Sequence, residues 1–363
     1  MKTSLVCLAF ALGVSAVFAQ QYQFDDITIP TAKHDEPILP EFSLKAATDY
    51  LEKGSLAWTR DRGCISCHTQ GSYMQAAPAL TPFIGKPNEE IRGAFLEQLA
   101  KLRSEERQKF NSGTRTAQVI YIAAGLAEWD AHVGGKRAAE TDEALQLMFD
   151  LQDEQGTWQS LDCWPPLESS AYQEATVAAI AAATAPGYLD APNAAKENWV
   201  RLIDYLKTTP PPHDYGRVLL LWTATRVDDL VDDDAKQQII DTILEKQHDD
   251  GGWALRDFAK PEEWGGGNRA QKLRAEPEFE NPPSDGHMTG LATLVLIEAG
   301  VAADDERIQK SIAWMKSNQR ESGRWWTRSL NTDKKHYITY SGTAYPLLAL
   351  AKCGELPAAA GAE

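Results

Sequence analysis

The stretch Gln319-Arg320-Glu321-Ser322-Gly323-Arg324-Trp325 is one of three copies of a frame with constant spacing of glutamine, glycine and tryptophan. The other two are Gln152-Asp153-Glu154-Gln155-Gly156-Thr157-Trp158 and Gln247-His248-Asp249-Asp250-Gly251-Gly252-Trp253. Each frame follows an amphipathic helical pattern and precedes, after a loop, an apolar pattern rich in small residues. One such glycine would indicate only the end of a helix. Three in register indicate a structural repeat.

Working outward from these frames, the sequence predicts helices of two kinds that alternate along the chain. Six have apolar residues at three- and four-residue spacing and one polar face. They cover residues 43–52, 89–108, 141–152, 194–207, 234–247 and 305–318. Six others are apolar all round, which is typical of buried helices. They cover residues 73–83, 114–128, 172–183, 215–225, 288–299 and 343–353. This alternation predicts an all-α (α/α)6 toroid as a single domain over residues 43–355.

The three frames resemble the repeats of the squalene–hopene cyclase and prenyltransferase toroids. The resemblance covers most of the mature chain and implies the fold. It does not carry the family's classical activities to this chain. Hopene-forming cyclases protonate their substrate with a D-x-D-D acid, and no such string occurs here. Prenyltransferases need a zinc or magnesium site beside a diphosphate pocket, and the sequence offers no matching set of ligands.

The first repeat contains Cys64-Ile65-Ser66-Cys67-His68 in place of a frame. C-x-x-C-H is the attachment signature of a c-type haem. Cys64 and Cys67 would form thioethers to the haem, and His68 would be the proximal iron ligand. A toroid with this motif resembles the cyclase-like, haem-motif proteins of some bacteria. Two alternatives stay open, namely a redox disulfide between the two cysteines and a zinc site, for which no second Cys/His pair has ligand spacing.

The two ends of the chain read as segments outside the toroid. Residues 1–19 predict a secretory signal peptide, with Lys2 before a short apolar run and small residues before a cleavage site. C-type haem is attached outside the bacterial cytoplasm, so we expect an exported protein, periplasmic or secreted. Residues 20–42 predict an extended N-terminal arm, and residues 356–363 predict a flexible tail. No later segment reaches the roughly 18 apolar residues of a membrane-spanning helix.

The charge of the chain restricts its partners. Its 363 residues include 52 acidic and 36 basic side chains, which gives a formal net charge of −16. An acidic surface argues against nucleic-acid binding and would suit a basic redox partner protein. We expect a monomer.

The alternation of helices puts every outer-to-inner loop on one face of the toroid, so the inner helices should begin together at the mouth of a central cavity. Haem on His68 would lie there. The residues that begin these helices are Tyr73, Met74, Tyr172, His213, Tyr215, His287, Met288, His336 and Tyr340. His287 or Met288 is the candidate distal iron ligand, with Met74 and His336 as further candidates and an open position as the alternative. An axial methionine would suit electron transfer, and an open position would suit chemistry on a small molecule.

These features give a leading hypothesis and two alternatives. The leading one is an exported toroid with one covalent haem c, acting in electron transfer or as a haem-dependent oxidoreductase. The second is a haem-free, cyclase-like protein that binds an apolar or isoprenoid molecule in its cavity. The third is a polysaccharide lyase, for which Arg324, Trp325, Trp326 and Arg328 could supply part of a cleft, against the unfavourable acidic charge. The long loop 259–283 is interpreted as a lid or docking loop, or as an insertion without a role.

Overall fold

A computed structural model describes residues 23–160, 165–167, 170–331 and 338–358. The predicted signal peptide, Cys163, His336 and the last five residues of the predicted tail lie outside the described residues. Within these ranges the chain forms fourteen α-helices, numbered α1–α14 in chain order, and one short hairpin of strands β1 (Gln23–Phe24) and β2 (Ile27–Thr28). None of these helices is long and apolar enough to cross a membrane.

The structure confirms the predicted all-α toroid. The outer helices are α1 (Leu44–Arg62), α4 (Glu89–Arg103), α6 (Ala139–Asp150), α8 (Lys196–Thr208), α10 (Asp233–Glu245) and α13 (Glu306–Ser317). The inner helices are α2 (Ser72–Ala76), α5 (Arg115–Trp129), α7 (Ala171–Thr184), α9 (Asp214–Ala224), α12 (Gly286–Glu298) and α14 (Ile338–Lys352). Each inner helix contacts the next, and α14 contacts α2, so the inner ring closes on itself.

The first repeat departs most from the predicted helix bounds. The helix predicted to end at residue 52 runs on to Arg62, because Gly54 is a packing residue and not a helix end. A Cβ at this glycine would lie 2.2 Å from the ring of Tyr340. The inner helix predicted over residues 73–83 is broken into α2 and the single turn α3 (Thr81–Ile84). Pro78 lies between them, and proline cannot donate the backbone hydrogen bond that a continuous helix requires.

The long loop 259–283 is not structureless. It contains two 3₁₀ turns, Trp264–Gly267 and Pro277–Phe279, on either side of the short helix α11 (Ala270–Arg274). The indole of Trp264 is fully buried and lies against the ring of His213, with 4.9 Å between the ring centroids. The start of the loop is therefore packed onto the toroid at α9.

The tryptophan of each frame fastens its loop to the outer helix that precedes it. All three indoles are buried, and each Nε1 donates a hydrogen bond to the carbonyl oxygen ten residues earlier. These bonds join Trp158 to Met148 (2.8 Å), Trp253 to Ile243 (2.7 Å) and Trp325 to Met315 (2.8 Å). The same hydrogen bond thus holds the loop against its helix in all three repeats.

The glutamine of each frame joins two outer helices. Its Nε2 donates to the carbonyl of the frame's own glycine and to a carbonyl at the start of the next outer helix. The acceptors on the next helix are Asn198 for Gln152 (3.0 Å), Arg307 for Gln247 (2.8 Å) and Ser43 for Gln319 (2.9 Å). The third of these links the last outer helix, α13, to the first, α1, and closes the outer ring.

The glycine of each frame allows two backbones to approach closely. Gly156, Gly251 and Gly323 have φ angles of 89°, 89° and 93°, a region that favours glycine. Each lies against the backbone of the next outer helix. A Cβ on Gly323 would lie 2.0 Å from the carbonyl oxygen of Ala46. The three residue types of the frame therefore have three separate geometric roles at the joints between repeats.

The predicted N-terminal arm packs against the third frame, and it contains strands that the sequence did not indicate. The fully buried guanidinium of Arg324 donates to the Glu36 carboxylate at 2.6 and 2.8 Å. It also donates to the carbonyl oxygens of Pro30 (2.8 Å) and Thr31 (3.0 Å). Ile38 pairs with Arg320 as an isolated β-bridge. The arm thus covers the joint between α13 and α1.

We predict that Gly323→Ala destabilises the protein far more than Gly300→Ala. Both glycines have a positive φ, 93° and 100°, but a Cβ on Gly300 would have no neighbour within 4 Å. Gly300→Ala should cost about 1 kcal/mol through φ alone. Gly323→Ala must also separate α1 from the third frame, which should add about 2 kcal/mol. Urea unfolding of the two variants tests this, and equal losses would contradict the packing role of the frame glycine.

Candidate functional site

The C-x-x-C-H loop occupies the joint between α1 and α4, where three other repeats have the glutamine frame. Gly63 follows the last residue of helix α1 and caps it in the left-handed conformation, with φ 59°. Trp58 Nε1 donates to the carbonyl of Cys64 at 3.0 Å and holds the start of the loop. Arg60 forms two hydrogen bonds of 2.7 Å to the carboxylate of Glu90 on α4. An ion pair thus replaces the glutamine bridge at this joint.

Gln70 holds the loop in its folded shape. Its Nε2 donates to Thr59 Oγ1 (2.9 Å) and to the carbonyl of Cys64 (3.3 Å), and its Oε1 accepts from the backbone N–H of Ser66 (3.0 Å). The five residues Cys67–Gly71 form one π-helical turn. Such turns are rare and occur frequently at functional sites.

The two thiols of the loop differ in burial. Cys64 is half-buried, Cys67 is 3% exposed, and neither is in a disulfide. Burial raises the pKa of the Cys64 thiol above its usual value. Redox-active C-x-x-C motifs depend on a lowered thiol pKa, so this environment does not favour the disulfide alternative. Within the described ranges, no group of three or more His, Cys, Asp or Glu could hold a metal ion.

His68 is oriented by its neighbours. Its Nδ1 lies 2.9 Å from Thr69 Oγ1, within hydrogen-bond distance, and its ring meets the Trp58 indole edge-on at 5.1 Å. The residue is 8% exposed. Metal-binding histidines commonly use one ring nitrogen for such an orienting bond and the other for the metal. By the same division, Nε2 would be the nitrogen of His68 that binds a metal.

A small cavity adjoins Cys64 between α1 and α4. Its volume is about 190 Å³, and it is lined by Thr59, Ile65, Gln98 and Lys101 among others. Pockets for drug-sized ligands generally exceed about 300 Å³. A haem would therefore need the residues around the loop to be further apart than they are here.

His287 does not offer a nitrogen to an iron in this structure. It is 0% exposed, with Nε2 3.1 Å from the Tyr215 hydroxyl and Nδ1 2.8 Å from Ser341 Oγ. Burial lowers its pKa to about 3, so the imidazole is neutral. Met288, the other candidate distal ligand, is a fully buried core side chain. The arrangement gives His287 the role of a hydrogen-bonded core residue.

The inner helices do not begin around an open mouth within the described part of the chain. Tyr73 accepts a hydrogen bond from the backbone of Asn88 (2.9 Å), and His213 caps α9 by accepting from Gly216 (3.0 Å). Burial lowers the pKa of His213 to about 4. The other residues predicted at the mouth are likewise buried: Met74, Tyr172, Tyr215 and Tyr340. These side chains pack against one another and against the core.

The central cavity between the inner helices is small. Tyr121, Tyr215, Trp222 and Tyr345 contribute to its walls, and it holds about 20 Å³ of water-accessible space. One water molecule needs about 10–15 Å³ by this measure. The aromatic side chains of the inner helices therefore leave no room for an isoprenoid in this central cavity.

Comparison with known families supports the toroid fold. Residues 212–355 match the family model for the squalene-hopene cyclase C-terminal domain. This part of the chain is similar to that domain, and the whole ring is an all-α toroid. The matched residues include helices α9–α14 with the second and third frames, and they exclude the C-x-x-C-H loop of the first repeat. No curated protein matches the chain.

The sequence did not indicate the residues that hold the haem-motif loop of this toroid. Trp58, Thr69 and Gln70 act through side-chain bonds to a loop that turns back on itself. Such bonds follow no fixed spacing. The available signal was weak, namely three side chains with hydrogen-bonding groups within six residues of the motif.

We predict that His287 makes the protein sensitive to acid. The unfolded chain takes up a proton near pH 6.5, whereas the folded imidazole stays neutral down to about pH 3. Between these values the unfolded state binds more protons, so stability falls as the pH falls. From pH 6.5 to 4.5, wild type should lose about 2 kcal/mol more than His287→Gln, measured by urea unfolding.

His248→Gln is the control for this measurement. Asp257, 2.7 Å from the His248 ring, raises the pKa of this histidine. Its contribution to stability is present at low pH and is lost as the pH rises through the raised pKa. His248→Gln should therefore still lose stability as the pH falls from 6.5 to 4.5. Equal pH dependence of wild type and His287→Gln would show that His287 is not the origin of the effect.

Proposed function

We propose that this toroid carries one covalent haem c on Cys64 and Cys67, with His68 as the proximal iron ligand. The protein would be exported and would act in electron transfer or haem redox chemistry. One observation carries the proposal. The first joint of the ring brings together two cysteines that form no disulfide and a histidine whose Nδ1 lies 2.9 Å from Thr69 Oγ1.

The chemistry of the donor set fits the group. Thioether formation requires cysteines that are not oxidised, and neither cysteine is in a disulfide. An axial histidine requires one available ring nitrogen in a fixed orientation, which the Thr69 contact and the Trp58 indole support. Lys101, in the cavity beside Cys64, is a cation that could pair with a haem propionate. When bound, the haem would supply a redox-active iron.

The burial of the motif limits when attachment can occur. Cys67 is 3% exposed and His68 is 8% exposed, and the adjoining cavity of about 190 Å³ is small. A macrocycle cannot contact both thiols while the folded chain covers them. We infer that attachment precedes closure of the joint between α1 and α4, so the haem would be built into the fold.

The charge of the protein supports a basic redox partner. With a formal net charge of −16, the chain would attract a basic electron-transfer protein at long range. The alternative of an isoprenoid ligand has less support. The central cavity of about 20 Å³ would have to expand many-fold to hold one.

The decisive experiment is expression with export in a host that attaches c-type haem. Wild-type protein should show a pyridine haemochrome spectrum of the c type and an intact mass raised by one haem. The double variant Cys64→Ala/Cys67→Ala should lose both signals completely. Cys353→Ala is the matched control, because Cys353 is a partly buried free thiol outside the motif, and it should keep them. Wild type without covalent haem under these conditions would contradict the proposal.

The order of attachment and folding can be tested with the same protein. Folded, haem-free wild type, incubated with haem and a reductant, should gain no covalent haem because its motif is covered. The same protein treated in urea and then refolded should gain some. Equal attachment in both samples would contradict the inference that the haem must enter first.

A further inference from the structure

A pocket separate from the cavities described above lies where the N-terminal arm meets the second and third frames. Its volume is about 320 Å³, within the range of small-molecule sites. Its walls come from four separate parts of the chain, including His34 of the arm, Asp250 of the second frame, Arg320 of the third frame and the segment 282–285. It shares no lining residue with the cavity beside Cys64, so any function of this pocket is independent of the proposed haem.

Three arginines converge on this pocket: Arg256, Arg320 and Arg328. The side chain of Arg256 is 4% exposed and donates from Nη2 to Glu276 at 2.6 Å. Its Nε and Nη1 have no hydrogen-bond partner within the described part of the chain, and neither has Nε of Arg320. A buried donor without an acceptor is unfavourable. Guanidinium donors bind the oxygen atoms of anions, and these nitrogens are covered in the structure, so an anion would reach them after a small movement of the side chains.

The carboxylates of the pocket restrict the charge of that anion. Asp250, Glu278 and Asp285 also line it, and Arg328 pairs with both Glu276 and Glu278. These negative groups would repel a dianion such as phosphate more strongly than a monoanion. A carboxylate carries a single charge and matches the planar guanidinium with two parallel hydrogen bonds.

The other walls suit a hydroxylated ring. Trp326 is partly exposed and lines the pocket together with Trp314, whose Nε1 donates to Asp250 at 3.1 Å. Indole faces provide flat apolar surfaces. The oxygen atoms of Asp250 and Glu278 can accept hydrogen bonds from hydroxyl groups. Cations, acceptors and aromatic faces therefore occur together in one pocket of suitable volume.

We propose that this pocket binds an acidic monosaccharide, a hexuronate, with its carboxylate on the arginines and its ring against Trp326. Two of the four residues that the sequence suggested for a sugar cleft, Trp326 and Arg328, line it. Arg324 and Trp325 do not, because they are fully buried in the joints of the ring.

Isothermal titration calorimetry on the exported, full-length protein tests the proposal. The probes are galacturonate and glucuronate, the neutral sugars galactose and glucose, and inorganic phosphate. Galacturonate should bind at least about tenfold more tightly than galactose, or glucuronate than glucose. This is the effect expected of one charge-assisted contact. Neutral sugar bound as tightly as uronate, phosphate bound more tightly than uronate, or no saturable binding by either uronate would overturn the proposal.

Variants then locate the site. Arg328→Gln should weaken uronate binding about tenfold and remove the preference over the neutral sugar. The control is Arg103→Gln, since Arg103 is also a partly exposed arginine with a carboxylate partner, that of Glu143, and it does not line the pocket. Its affinity should equal that of wild type. If Arg328→Gln does not fold, Arg328→Lys keeps the charge and should lose part of the affinity. Unchanged uronate affinity in the folded Arg328 variant would overturn the assignment.

Discussion

The structure depends on one side chain, the amide of Gln319, which joins the two ends of the helical ring. Its Oε1 accepts from the backbone N–H of Ser43 at 2.7 Å, and its Nε2 donates to the carbonyl of the same residue at 2.9 Å, across 276 residues of sequence. Closing a loop of this length costs roughly 5 kcal/mol in chain entropy. The Arg324–Glu36 pair and the close approach of Gly323 to α1 help to offset this cost.

This closure also sets the surroundings of the C-x-x-C-H loop. Helix α1 is held at its start by the third frame and at its end by the pairing of Arg60 with Glu90. The motif therefore sits at the end of a helix that is fixed at both termini. The family match covers residues 212–355, which carry two of the three frames, so the thiols lie in the half of the ring that the match does not reach. The ring thus holds helix α1 in place, and the first repeat carries the C-x-x-C-H residues.

Much of the fold could be predicted from the sequence, because each residue of the frame has a geometric role that only its own side chain can fill. The first repeat was harder to predict. Gly54 lies inside a helix because the aromatic side chain of Tyr340 packs against it. That contact joins the first and the last helix of the toroid. The C-x-x-C-H residues were identified by their spacing, and their role in haem attachment stays a prediction. The filling of the central cavity did not follow from spacing, since His287 finds its partners Tyr215 and Ser341 on two other helices.

Ser43 and Gln319, which close the ring, are far apart in the sequence, and this separation determines when the ring can close during synthesis. A chain is made from its N-terminus at about 5–20 residues per second, so the 276 residues between Ser43 and Gln319 take roughly 15–60 seconds. During that interval helix α1 has no partner on one side. Helix α1 is thus among the first parts of the chain to be made and among the last to gain all of its neighbours. The ring can close only when synthesis of the chain is almost complete.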